Sequence, residues 1–246
     1  MRATLGIVLL IAGRELQSYF KTYSGYVILA AYLLISGLLF NIYAVGAETK
    51  YSQDVLRDFF YFSSGMALVA SILLAMRLIA EERQIQTLVL LQTSPVSERE
   101  IVWGKYLSAL AFYAVMLIVS LYMPALIFVN GKVSVLQILT GYFGLLLLGS
   151  ACIAIVLLAS VWSGSQLVAG VTGAVMVALL VIAWMLGRIT DEPLKGLMAY
   201  LALHNIHFRT FSRGTLHLRD VVYYAAVTVF FLECAVRSLE SRIWRE

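Results

Sequence analysis

VLQILTGYFGLLLLGSACIAIVLLASVW, residues 135–162, contains no Asp, Glu, Lys or Arg. The hydrocarbon core of a bilayer is about 30 Å thick and a helix rises about 1.5 Å per residue, so about 20 apolar residues cross it. This stretch is therefore read as a membrane-spanning helix. It is long enough to tilt or break, and Gly141, Gly144 and Gly149 offer places for a break. Working outward, five more segments meet or approach the spanning length: 26–44, 59–80, 106–129, 166–186 and 221–236. The last is short and is expected to continue into the charged tail.

The whole composition agrees. Of 246 residues, 61% are hydrophobic and 13% charged, where a soluble domain carries roughly a quarter charged residues. Too little polar surface remains to cover a soluble enzyme of this size. Disorder, a collagen-like repeat and a disulfide scaffold are excluded on the same figures. Cys152 and Cys234 lie inside apolar segments and read as small packing side chains.

Residues 4–21 differ from the spans. Leu5, Leu9, Ala12, Leu16 and Tyr19 recur at helical spacing, while Arg14, Gln17, Ser18 and Lys21 gather on the other side. That pattern predicts an amphipathic helix lying in the membrane interface rather than a cleaved leader or a seventh span. Six spans put ten of the 18 Lys and Arg on the N-terminal side and eight on the other. Five of those eight belong to the loop 188–220. Without it the bias is ten to three, which predicts both termini in the cytoplasm. Basic residues at span ends face lipid headgroups, so nucleic acid is not an expected partner.

Motifs for catalysis are missing. There is no His-Glu-x-x-His, no Gly-x-Ser-x-Gly and no glycine-rich phosphate loop, and Gly104-Lys105 lacks the rest of one. His204 and His207 are three apart and could face one metal on a helix, but a metal site needs further ligands and the loop supplies no cysteine, so they read as polar residues of an interfacial loop and no metal is expected. Glu233 lies inside a span, and Arg237 four residues later is its expected ion-pair partner. An intramembrane enzyme would need paired acids or a Ser/His pair at one depth, and the sequence does not announce one.

The informative segment lies between the second and third spans, residues 82–105. Ile85, Leu88, Leu91 and Gln92 share one helical side, predicting a short amphipathic helix over Arg83–Thr93. Pro95 stops it, and Ser97 with Glu100 forms a capping box that starts the next helix. Such a projecting helix suits docking of a soluble partner, whose rigid-body motion it would pass into two spans.

This loop resembles that of ABC-2 type transporter permeases, in Glu81-Glu82-Arg83, Thr87-Leu88, Leu90-Leu91, Thr93-Ser94-Pro95-Val96-Ser97 and Ile101-Val102-x-Gly104-Lys105. Arg14-Glu15-Leu16-x-Ser18-Tyr19-Phe20 with Gly25-Tyr26 resembles the interfacial N-terminal helix of that family. His207-Phe208-x-x-Phe211-x-Arg213-Gly214 and Leu218-Arg219-Asp220-Val221-Val222-Tyr223-Tyr224 look most like its gliding-motility-associated branch. Two departures stand out: the family usually has Gly where this chain has Gln86, and Glu where it has Val89.

The resemblance implies an all-α membrane protein of type V exporter-like architecture, six transmembrane helices after an interfacial helix. It implies the permease subunit of an ATP-binding cassette exporter of the bacterial inner membrane. Partners would be two cytoplasmic ATPase subunits, which carry the ATP and magnesium, and a second permease chain, identical or related. This chain would hold no cofactor, and a further periplasmic or membrane subunit is possible. ATPase coupling is expected at Glu81, Glu82, Arg83, Thr87, Leu88, Leu91 and Pro95. Spans two and five would line the dimer axis and translocation path through Ser63, Ser64, Gly65, Gly170 and Gly173, and 194–208 would form re-entrant helices. A rival reading is a structural or force-transmitting subunit, as in gliding machinery, that moves no cargo.

Overall fold

One charge-free helix forms the axis of the molecule. In the computed structural model, which describes residues 2–44, 52–87, 96–130, 134–189, 196, 200–205 and 207–243, the stretch quoted first is a single unbroken helix, Val135–Trp162. Its glycines do not break it. They let aromatic rings lie against its backbone: a Cβ at Gly141 would sit 2.4 Å from Phe60, at Gly144 2.5 Å from Phe211, and at Gly149 2.3 Å from Tyr113. Close ring-to-backbone packing replaces flexibility, because the helix is surrounded on nearly every side.

The elements in chain order are α1 (Arg2–Lys21), α2 (Tyr23–Ala44), α3 (Ser52–Ala75), α4 (Ala80–Gln84), α5 (Glu98–Ser120), α6 (Tyr122–Asn130), α7 (Val135–Trp162), α8 (Gln166–Ile189), α9 (Phe208–Ser212) and α10 (Leu218–Ile243). Six stretches, Tyr23–Ile42, Gln53–Gln84, Glu98–Ile127, Val135–Trp162, Gln166–Met185 and Leu218–Ser241, are long and apolar enough to cross a membrane. No strand occurs among the described residues. α3, α5, α8, α9 and α10 pack around α7. α2 and α8 keep apolar outer faces, with Leu34, Leu38, Leu167 and Leu179 each more than half exposed. Those faces meet lipid or another chain, since water would not tolerate them.

Three elements differ from the expected bounds. The second crossing begins at Ser52, and its helix stops at Ala75 before a turn that leads into α4. Ser160 Oγ fills that break: it accepts from the Ile79 and Ala80 amides (3.1 and 2.9 Å) and donates to Met76 O (3.1 Å). The third crossing begins at Glu98 and breaks at Leu121. Pro124 accounts for the break, because it has no N–H for Ser120 O and its ring crowds that carbonyl. The sixth starts at Leu218 and continues into the charged tail as expected.

α1 lies against the start of α5. Tyr19 stacks on Phe112 at 4.9 Å, and a Cβ at Gly104 would lie 2.7 Å from Ile11 Cγ2. Leu5, Leu9 and Leu10 stay outward, 58–72% exposed. The helix therefore has two apolar sides, one packed on α5 and one free. Cys152 is buried and neither cysteine is in a disulfide.

Candidate functional site

Three of the quoted motifs, separate in sequence, meet at one point. Lys105, about two turns into α5, is 1% exposed, and its Nζ lies 2.8 Å from Glu82 Oε1 on α4 and 3.4 Å from Glu15 Oε1 on α1. A buried ammonium needs such partners, since desolvation costs several kcal/mol per ion. Beside it, Arg77 spans the α3–α4 break. Its Nε pairs with Glu81 Oε2 at 3.0 Å, its Nη1 donates to Ser24 Oγ, and its guanidinium lies 5.1 Å from the centre of the Tyr19 ring. Tyr19 donates its hydroxyl to Leu74 O at 3.1 Å, and burial pushes its phenol well above the ordinary range. The groups enclose a cavity of about 180 Å³ that also touches Ile85 and Thr87. Counting Glu15, Glu81 and Glu82 against Arg77 and Lys105, it carries one net negative charge. Glu82 Oε2 is buried with no hydrogen-bond partner among the described residues.

Arg83 faces the other way. Its Nη1 donates to Val161 O (2.9 Å) and Ser163 O (3.1 Å), carbonyls at the C-terminus of α7. A cation there complements the negative end of the helix dipole. α4 is thus tied to α1 and α5 through Glu82 and to the central helix through Arg83. Ser97 and Glu100 form the expected capping box, with Ser97 N to Glu100 Oε2 at 2.9 Å and Glu100 N to Ser97 Oγ at 3.4 Å.

The expected helix over Arg83–Thr93 is corrected in its first part. α4 ends at Gln84, and Gln86 has φ +58. The Gln86 amide bonds Arg83 O at 3.1 Å and the Thr87 amide bonds Glu82 O at 2.9 Å. That bond pair is a Schellman motif, with Gln86 at the left-handed position where glycine is usual. Leu88, Leu91 and Pro95 lie outside the described residues, so Glu81, Glu82, Arg83 and Thr87 are the members of that group placed here.

Other expectations change as well. Glu233 pairs with Arg99 of α5 at 2.7 Å, not with Arg237. Arg99 is 62% exposed in its side chain, so this pair is worth about 0–1 kcal/mol. Ser63, Ser64 and Gly173 are buried within the chain; a Cβ at Gly173 would lie 2.8 Å from Val156, and at Gly170 3.0 Å from Met76 Sδ. Gly65 faces outward, with open space before it.

His204 and His207 are buried rather than interfacial. His204, 8% exposed, bonds Ser64, and His207, 1% exposed, bonds Asp220 Oδ1 at 2.7 Å and stacks on Tyr223. Thr210 donates to Asp220 Oδ2 at 2.7 Å. These residues hold the chain before α10 down between α3, α8 and α10, where Leu203 N bonds Leu180 O and Tyr224 donates to Leu203 O. Ser64 Oγ lies within hydrogen-bond distance of both Tyr61 O and His204 Nε2, which ties the loop to α3. No group of three or more His, Cys, Asp or Glu suited to a metal occurs among the described residues.

Lys105, Glu15, Arg77 and Tyr19 were not among the expected coupling residues. A lysine entering an apolar run was the available signal, because such a charge must find a carboxylate.

A bundle of six helices long and apolar enough to cross a bilayer defines a multi-pass membrane protein. The profile of the ABC-2 family transporter protein matches residues 27–232, and the chain belongs to that family. It is accordingly a permease subunit of an ABC transporter, not itself catalytic, and the family implies an ABC ATPase as its partner. The match covers α2 to most of α10 and does not single out the gliding-associated branch. No curated protein matches the chain.

Proposed function

We propose that the α1 end of the bundle is the seat of a cytoplasmic ATPase, and that α4 passes the motion of that ATPase into the spans. The observation that carries this is the buried Lys105 ammonium joining α4 to α1 and α5. With Arg83 on the end of α7, a push on α4 reaches α1, α3, α5 and the central helix as one body. Rigid connection is what mechanical coupling requires, since packed elements shift as units rather than bend. Ile85, 61% exposed beside this cluster, supplies an apolar contact for the partner.

ATP and magnesium would bind on two such ATPase chains, with none held here. A second permease chain, identical or related, would pack on the apolar outer faces. Both termini would be cytoplasmic, in a bacterial inner membrane. Closure of the ATPase pair would rock the two permeases and open a route outward for export. The motif His207–Tyr224 serves internal packing in this chain, so it argues for no gliding role.

Charge reversal at the exposed side of the seat tests the reading. Glu81→Lys, with its side chain 40% exposed, should lower ATPase copurification at least tenfold and, by setting a second cation beside Arg77, should also cost the bundle some stability. Ile85→Asp, 61% exposed and outside the ion pairs, should lower copurification without that cost. Undiminished copurification and undiminished stimulation of hydrolysis would remove the docking assignment.

A further inference from the structure

At the end of the bundle away from this seat, a cavity of about 330 Å³ opens between the first turns of α3 and α7 and the chain leaving α9. Gln137 of α7 braces these three elements. It is 6% exposed, and its Nε2 donates to Gln53 O and to Ser212 O, both at 3.2 Å. Two guanidinium groups line the cavity, Arg57 from α3 and Arg213 after α9. Asp54 is the carboxylate in the lining, 3.5 Å from Arg57. Arg57 also meets Asp58 at 3.4 Å, while Arg213 has no ion-pair partner among the described residues. The lining therefore carries two positive charges against one negative.

The backbone adds to this. Ser134, the N-cap of α7, makes no side-chain capping bond. The first turn of a long helix thus brings uncapped N–H groups and partial positive charge to the same rim. Gly214, with φ +79 and a virtual Cβ 3.2 Å from Gln137 Cα, turns the chain so that Arg213 stands at the rim. Two apolar crossings begin here, at Gln53 and Val135, so the cavity lies at the level of lipid headgroups.

We propose that this cavity binds the phosphate of a phospholipid headgroup. Arg57 and Arg213 hold the phosphate, for which planar guanidinium forks are matched, and Asp54 receives a headgroup ammonium. The proposal rests on nothing at the α1 end and goes beyond ATPase docking. A free phosphate shares the same chemistry, and the test separates the two sources.

The full chain is purified in neutral detergent, and its thermal unfolding is followed with short-chain phosphatidylethanolamine, short-chain diacylglycerol or inorganic phosphate. The same series is run on Arg213→Gln, a site with no ion pair to lose among the described residues, and on Arg57→Gln. Phosphatidylethanolamine should raise the wild-type Tm, and Arg213→Gln should need at least tenfold more lipid for the same rise. Native mass spectrometry should show retained phospholipid on the wild type and its loss from the variant. Equal protection of wild type and Arg213→Gln, or equal protection by diacylglycerol, would overturn the site. Inorganic phosphate protecting as strongly as the lipid would overturn the headgroup assignment in favour of a free anion.

Discussion

Gln86 shows how a single residue sets the shape of the coupling loop. Its φ of +58 closes the Schellman motif that ends α4, and a side chain in that region costs about 1 kcal/mol or more relative to glycine. Gln86→Gly should therefore raise stability by about 1 kcal/mol, read as a higher Tm in detergent. A lower Tm would mean that the glutamine side chain makes a compensating contact. His204 makes a pH prediction. Burial holds its imidazole below the ordinary 6.5, so below that pH the unfolded chain takes up a proton that the folded chain refuses. Stability is then intact above about pH 6.5 and falls as pH drops through and below it. Thermal melts should show this acid loss, and His204→Gln should flatten it; an unchanged profile would assign the loss elsewhere.

Among the elements, α7 decides the packing. Its glycines admit three aromatic rings, and at Gly149 a methyl would overlap Tyr113, whose hydroxyl bonds Leu145 O at 3.0 Å. Gly149→Ala should destabilise by about 1–3 kcal/mol through overpacking, and Tyr113→Phe should not relieve it because the ring carbons already clash. The bounds of α7 were readable from the bare run of apolar residues, as was the Ser97–Glu100 cap of α5. The role of its glycines was not, because a small residue signals close approach and flexibility alike until its neighbours are known. The break before α4 was hidden for a related reason. Its turn at residues 76–79 is apolar or basic like the helix before it, and the group that satisfies it, Ser160, lies 80 residues away. The expected Glu233–Arg237 pair failed similarly: (i, i+4) spacing permits a local pair, but Arg99 arrives from another helix.

At the scale of the whole molecule, the coupling cluster was half legible. Glu82, Lys105 and Glu15 all stand in quoted motifs, yet only the fold brings α1, α4 and α5 together around one ammonium. Removing a partner of a buried charge costs about 3–5 kcal/mol, whereas removing the whole buried set costs far less. Glu82→Gln and Lys105→Met should each lower stability, and the double variant should be less impaired than their sum, giving a coupling energy above about 1 kcal/mol in a double-mutant cycle. Additive effects would mean that the cluster is not a unit. The central claim, that the ATPase sits on this end, is tested most directly by a photo-crosslinking amino acid placed at Ile85 and, separately, at Leu218, both strongly exposed and at opposite ends. Adducts are identified by mass spectrometry. The account predicts an ABC ATPase adduct from Ile85 and none from Leu218; no ATPase adduct from Ile85, or equal yields from both positions, would contradict it.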